Sequence, residues 1–346
     1  MIKDNILNIL ERMPKIELHL HLEGAIPLEA LWELIKKYNG IGEVKSIEEL
    51  KRKFQYSDFP HFIETWIWKN GFIREYEDFT FIASEVAQEL NKQNIRYAEM
   101  FYSPPDFKRQ NLDSRRITES IVKGFNNAKG KTKINLVADL VRDFGAQNAM
   151  RTLLEINEVK ELGVPGIGIG GSEHSFPPEL FKDVFEKARE LGFKTSAHAG
   201  EAAGSESIWG AVKVLKVDRL GHAARAFEDD KLVDYLKENE IPLEMCPLSN
   251  VRTAVVKSIE EHPVKDYYRK GLKVFLNTDD PKMFNNTLSE EYFMFVEKMC
   301  FGLEDVKVLM NNAIDSAWCN ENDKSIFRNE LSLYHRQNNL EDTICF

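Results

Sequence analysis

Eight short runs of β-branched and apolar residues, each leading into polar residues and a stretch of helical periodicity, constrain this chain more than any other feature. The runs cover 16–22, 96–102, 134–141, 166–171, 194–199, 219–223, 242–246 and 273–278. Between them, 114–128 places Ile117, Ile121 and Phe125 at steps of four, and 178–191 spaces Phe181, Phe185 and Ala188 in the same manner. Apolar residues at that spacing line one face of a helix. Segments 207–215 and 231–239 read likewise. Strands alternating with helices imply a parallel sheet with right-handed crossovers, because each new strand must start from the same end of the sheet. Eight such units fit a closed (β/α)8 TIM barrel better than two open sheets; a doubly wound α/β sheet is the alternative. The 346 residues exceed the roughly 250 that such a barrel needs. The surplus falls mainly between the first two runs, where 28–38, 47–54, 62–72 and 79–93 read as helices. We expect one domain over 1–346, with a helical insertion at about 28–93 over the barrel mouth and C-terminal helices from 289 onward outside or beneath it.

Composition narrows the partners. A formal charge of −10 argues against nucleic acid, which needs clustered Lys and Arg. No stretch approaches the roughly 18 uninterrupted apolar residues of a membrane span, and the first 15 residues carry scattered charges that a signal peptide would lack. The four cysteines, Cys246, Cys300, Cys319 and Cys345, form no Cys-x-x-Cys pair. They read as reduced thiols of a cytoplasmic protein, and Cys345 is misplaced for prenylation.

In a barrel of this kind the chemistry sits where strands end. His19 and His21 lie two apart on the first run, so both point into the barrel while Leu18, Leu20 and Leu22 face the helices. Paired interior imidazoles leave polar nitrogens to satisfy, either by hydrogen bonds within the core or by a divalent metal. The fifth run adds His198 at the same mouth, with Glu201 just beyond the strand, placed for proton transfer more than for ligation. His222 ends the sixth run, and the eighth ends in Asp279 and Asp280. Asp279 completes a His–His–His–Asp set and leaves Asp280 for substrate. Three imidazoles and one carboxylate suit a single catalytic zinc, which lowers the pKa of its water from about 15.7 to about 7.

Other motifs weigh less. Residues 166–171 match Gly-x-Gly-x-x-Gly, but no helix opens after them, so they read as the fourth strand itself. His174 reads as a surface-loop residue, and His61, His262 and His335 lie away from strand ends. There is no His-Glu-x-x-His, no Gly-x-Ser-x-Gly, and no Pro-Cys-x-x-Cys of the small zinc deaminases. Phe62, Trp66, Trp68 and Phe72 form an aromatic cluster in the insertion, either ordinary helix packing or a lid over a flat aromatic substrate.

The ordered motifs His-x-His-x-Glu-Gly (19–24), His-Ala-Gly-Glu (198–201), Arg-Leu-Gly-His (219–222), Cys-Pro-Leu-Ser-Asn (246–250) and Asn-Thr-Asp-Asp-Pro (277–281) resemble those of the adenosine and adenine deaminase family over about 14–320. The resemblance implies a zinc (β/α)8 barrel with one zinc per subunit on His19, His21, His198 and Asp279. It implies that Glu201 protonates the purine nitrogen next to the attacked carbon and that His222 hydrogen-bonds the attacking hydroxide. By the same matching Asp280 and the backbone N–H of Gly171 hold the rest of the ring, and Phe62 and Ile63 line the lid side. Glu23 stands where adenosine deaminases carry Asp against the ribose, and resembles the adenine-specific branch. Gly221, 101–105 and 286–288 resemble the nucleoside branch, whereas the 168–173 loop differs from both. The substrate expected is adenosine or a modified adenine nucleoside, with adenine or aminodeoxyfutalosine as alternatives. A barrel hydrolase of amide or ester bonds would use two metals and a bridging Lys, and no strand-end Lys is evident beyond Lys194 at a strand start. A catalytically dead binding protein would have lost ligands that are all present here.

Overall fold

Residues 2–340 are described by the computed structural model. Eight strands occur: β1 (Lys15–His21), β2 (Ile95–Tyr102), β3 (Lys133–Asp139), β4 (Gly166–Gly168), β5 (Lys194–Ala199), β6 (Arg219–His222), β7 (Leu243–Met245) and β8 (Val274–Leu276). They form one sheet in sequence order, every adjacent pair parallel. A parallel bridge between Leu20 and Asp279 joins β8 to β1. The expected barrel is therefore the observed one. Run four is shorter than expected, since β4 stops at Gly168. Beyond it the Gly170 N–H turns to Asp139 Oδ1 at 2.8 Å, and Gly171 adopts φ +102°.

Strand periodicity sorts the residues of β1. Leu18, Leu20 and Leu22 are buried in the hydrophobic core, while Glu17, His19 and His21 occupy the alternate positions. Charged groups on the inward faces pair at the barrel floor. The Arg219 guanidinium lies 2.7 Å from Glu99 Oε2 and 2.6 Å from Glu244 Oε1. It also donates to the carbonyl of Ser316 at 3.0 Å and stacks 3.7 Å from the Trp318 ring. The helix Leu303–Ser316, which packs on β8 and β1, thus brings the C-terminal part of the chain to the floor.

Between β1 and β2 run helices Leu28–Lys37, Ile47–Lys53, Phe59–Asn70 and Tyr76–Lys92. The third begins three residues before the expected 62 because Asp58 caps it, accepting the His61 N–H at 2.9 Å, and Pro60 suits the first turn. Segment 178–191 divides into a 3₁₀ turn, Pro178–Phe181, and a helix, Lys182–Glu190. Segment 207–215 becomes a helix, Ser205–Gly210, continued by a π turn, Ala211–Leu215. Helices Ile2–Arg12 and Gly145–Asn157 lie outside the anticipated set; the second starts at a glycine with no capping side chain. The tail is helical as expected, with Leu288–Met299 and Glu321–Gln337 flanking Leu303–Ser316. Cys246, Cys300 and Cys319 are free, and Cys345 lies outside the described residues. Among the described residues no helix is long and apolar enough to cross a membrane.

Candidate active site

The carboxyl ends of β1, β5 and β8 bring His19, His21, His198 and Asp279 together. One ligand atom from each lies within 4.8 Å of the others, and all four side chains are buried. The Nε2 atoms of His21 and His198 are 3.2 Å apart. Asp279 Oδ1 is 3.4 Å from His19 Nε2 and 3.3 Å from His21 Nε2. On His19 and Asp279 the unused atoms are tied back. His19 Nδ1 is 2.7 Å from Glu244 Oε2, which holds the ring proton there and turns the Nε2 lone pair inward. Ser249 Oγ donates to Asp279 Oδ2 at 2.6 Å, keeping Oδ1 for the centre.

These residues fit a metal ion. His21 Nδ1 and His198 Nδ1 are buried with no hydrogen-bond partner, and His19 Nε2 faces Asp279 Oδ1 at 3.4 Å, an arrangement an apolar core would not tolerate. Burial alone would lower the His19 pKa, but hydrogen bonds to Asp279 and Glu244 outweigh it and push it up to about 10. Burial alone would raise Asp279, but hydrogen bonds from His19 and His21 outweigh that too and hold it ionised. The carboxylates draw positive charge to this point, whether it is carried by protons or by a metal. A second grouping, His222 with Cys246 and Asp279, fits less well, because burial pushes the Cys246 thiol well up and keeps it protonated.

Glu201 follows β5 on a turn held by Glu173. That carboxylate accepts N–H groups of Gly200, Glu201 and Ala203 at 2.8, 3.1 and 2.7 Å, and the Ser207 hydroxyl at 2.8 Å. Burial pushes the Glu201 carboxyl well above its usual range, with Asp279 and Glu173 adding to the rise, which favours the protonated form. Its Oε2 lies 3.5 Å from His222 Nε2, which is 3.9 Å from Asp279 Oδ2. Burial lowers His222 to about 4, so this imidazole is neutral. His222, Ala223 and Asp279 all adopt positive φ, of 60°, 52° and 66°. Strained backbone of this kind gathers at functional sites.

Asp280 is buried with Oδ1 unpaired; burial, then Asp279, raises it to about 7. A Cβ on Gly24 would lie 1.7 Å from that oxygen, so only glycine lets Asp280 sit against the end of β1. Glu23 accepts the Ser103 N–H on Oε1 at 3.0 Å and leaves Oε2 buried without a partner. On the insertion, the Trp66 ring is 5.9 Å from that of His21 and 6.2 Å from Phe62. Ile63 is half-buried against the core, and His174 is exposed on its loop. The four-ring cluster expected from sequence divides in two. Trp68 and Phe72 pack against each other, 5.2 Å apart, with the Trp68 N–H on Glu43. Positions 66 and 68 are about 200° apart around a helix, so the pairs face different ways.

Several working residues escape a reading of strand ends. Glu244 signals itself only as an acid inside an apolar run. Glu173 comes from a loop, and Ser249 and Asn250 from the short helix Pro247–Arg252 that follows β7. His262, set aside on sequence, is buried 3.1 Å from Asn250, which is 3.1 Å from His222. Lys69 is buried over Trp66, 4.1 Å from the ring centre, and donates to the Glu23 carbonyl at 2.8 Å.

Fold and cluster together place the chain among metal-dependent hydrolases built on a (β/α)8 barrel. The sequence model of the adenosine deaminase family matches residues 14–334, and the chain belongs to that family. It is a hydrolytic deaminase. An adenine deaminase from Crocosphaera subtropica is 33% identical over 91% of this chain and 97% of that one. An aminodeoxyfutalosine deaminase from Streptomyces avermitilis is 32% identical, over 93% and 91%, and an adenosine deaminase from Clostridium acetobutylicum 31%, over 92% and 96%. Among solved structures, adenine deaminase from Arthrobacter aurescens superposes with a TM-score of 0.86 at 28% identity, covering 94% of this chain and 99% of that one. An amidohydrolase from Burkhoderia ambifaria with bound zinc gives 0.87 at 26%, covering 96% and 94%.

Proposed function

We propose that this chain is a cytoplasmic, zinc-dependent aminohydrolase that converts adenosine or a modified adenine nucleoside to its 6-oxo product and ammonia. The observation that carries the reading is the buried Glu201, its carboxyl pushed upward by burial, beside a His–His–His–Asp cluster at one barrel mouth. One zinc, held by His19, His21, His198 and Asp279, supplies the Lewis acidity that makes water nucleophilic at neutral pH; the zinc-bearing relative supports that choice of metal.

The protein's own groups do the rest. Glu201 donates its proton to the ring nitrogen beside the attacked carbon, so charge does not build on the ring. The neutral His222, 3.5 Å from Glu201, faces the same point and stabilises the attacking oxygen. Overall one water enters and the exocyclic C–N bond breaks; one proton of that water leaves with the amino group as ammonia, the other replaces the proton that Glu201 gave to the ring nitrogen, and the oxygen stays as the 6-oxo group. Asp280, with Oδ1 free, holds a further ring nitrogen, and the Gly171 N–H meets the remaining edge. Glycine is required at 171, where φ is +102° and a Cβ would lie 2.0 Å from Asp143 Oδ2. The helices over 28–93 act as a lid within a single 1–346 domain, with Phe62 and Ile63 lining its inner side and Trp66 near His21. The partners are a purine nucleoside or base and water, with no nucleic acid.

A second reading, adenine itself, is favoured by Glu23, whose free Oε2 is suited to a base N–H as well as to a sugar hydroxyl. Ammonia release from adenosine, adenine and a 5′-modified adenosine, each assayed alone, separates the two. Turnover of a nucleoside is expected; turnover of adenine alone would overturn the nucleoside reading.

A further inference from the structure

Behind His222 two side chains and a backbone amide stand in line. His222 Nδ1 lies 3.1 Å from Asn250 Nδ2. Asn250 Oδ1 lies 3.1 Å from His262 Nε2. His262 Nδ1 lies 3.2 Å from the backbone N of Val264. All three side chains are buried.

The direction of this line follows from its far end. A backbone N–H only donates, so His262 Nδ1 accepts, and the proton of the neutral ring sits on Nε2. That Nε2–H donates to the Asn250 carbonyl oxygen, which leaves the amide NH2 for His222. His222 Nδ1 must then accept, and its proton is on Nε2, the nitrogen facing Glu201 and Asp279. Burial lowers His262 to about 3, which keeps it neutral as this order requires. The segment is fixed independently of His262, since Tyr267 Oη donates to the carbonyls of Ala223 and Ala224 at 3.3 Å.

We propose that Asn250 and His262 are positioning residues that set the tautomer of His222, holding it as an Nε2–H donor aimed at the reacting atoms. Their role builds on the deaminase reading but concerns a proton's location, which is observable without substrate. A core residue that merely fills space would be indifferent to which atom donates. A tautomer-setting relay is not.

The experiment compares three variants with the parent holoenzyme. Asn250→Asp is nearly isosteric but offers His222 an acceptor, which moves the imidazole proton to Nδ1. His262→Gln keeps a donor close to Nε2, and His262→Leu keeps none. Imidazole ¹⁵N shifts of histidine-labelled protein are expected to show His222 protonated at Nε2 in the parent and in His262→Gln. They should show it at Nδ1 in Asn250→Asp and as a mixture in His262→Leu. With the best of the three assayed substrates, kcat should fall about 10–100-fold in Asn250→Asp and His262→Leu, with KM and zinc content nearly unchanged and activity largely restored in His262→Gln. An unchanged His222 tautomer in Asn250→Asp, or equal kcat in the Gln and Leu variants, would overturn the relay. Absence of deamination in the parent would instead overturn the functional reading, while the shifts still report on the relay.

Discussion

The floor and the mouth of the barrel are both polar, and they treat their polar atoms in opposite ways. At the floor Arg219 meets Glu99 and Glu244 at 2.7 and 2.6 Å, so buried charge is answered by buried charge. At the mouth His21 Nδ1, His198 Nδ1, Glu23 Oε2 and Asp280 Oδ1 are buried without a protein partner, and His19 Nε2 faces Asp279 Oδ1 at 3.4 Å. Each unpaired buried polar atom costs about 1–3 kcal/mol, so the mouth, where several gather, lowers stability more than the floor, where Arg219 Nη2 is left over. Such atoms persist where a ligand completes them. Glu244 belongs to both layers, giving Oε1 to Arg219 and Oε2 to His19, so the paired layer orients the unpaired one.

The contrast can be broken from either side. Glu201→Gln should lower kcat about 10²–10⁴-fold while leaving zinc content and thermal midpoint as they are; near-normal turnover would remove Glu201 from its role. Arg219→Leu should have the opposite profile. It strands two buried carboxylates and should cost about 3–5 kcal/mol in urea unfolding, and a variant as stable as the parent would mean the floor is not a paired layer. Stripping the metal with a chelator should lower stability by about 3–4 kcal/mol relative to protein in 100- to 1,000-fold excess of free zinc over its Kd. Identical melting with and without zinc would show that the mouth holds no ion. Ser249→Ala, which frees one oxygen of Asp279, should weaken zinc about tenfold in competition with a chromophoric chelator. Unchanged affinity would make that hydrogen bond incidental.

The ligands were legible because a strand turns spacing into direction. His19 and His21 share a face by being two apart, and His198 and Asp279 end runs whose order around the barrel follows the chain. The barrel was legible for the same reason. The partners of those ligands were not. Ser249 and Asn250 stand in the 246–250 motif but on a helix of six residues, Pro247–Arg252, and His262 follows in a loop, so only the folded chain shows that Asn250 reaches His222. Glu173 is a similar case, five residues beyond β4 yet holding the turn of Glu201. The misjudged aromatic cluster differs, since the step from Trp66 to Trp68 already separates their faces on a helix.

The β8–β1 join carries one last consequence. Among the described residues, the ladder between β1 and the segment leaving β8 is the single Leu20–Asp279 bridge. Its backbone hydrogen bonds, His21 N–H to the Asp279 carbonyl at 2.8 Å and Asp279 N–H to the His19 carbonyl at 3.1 Å, belong to three of the four ligands. Bringing such remote parts of the chain together carries a large loop-closure entropy, set here against very few backbone contacts. An ion gripped by the same residues acts as a rivet through the overlap, so the cylinder's circumference and its reactive centre are secured in one event. Amide exchange at His21 and Asp279, slowed by zinc more than elsewhere in the sheet, would register that event from the backbone side.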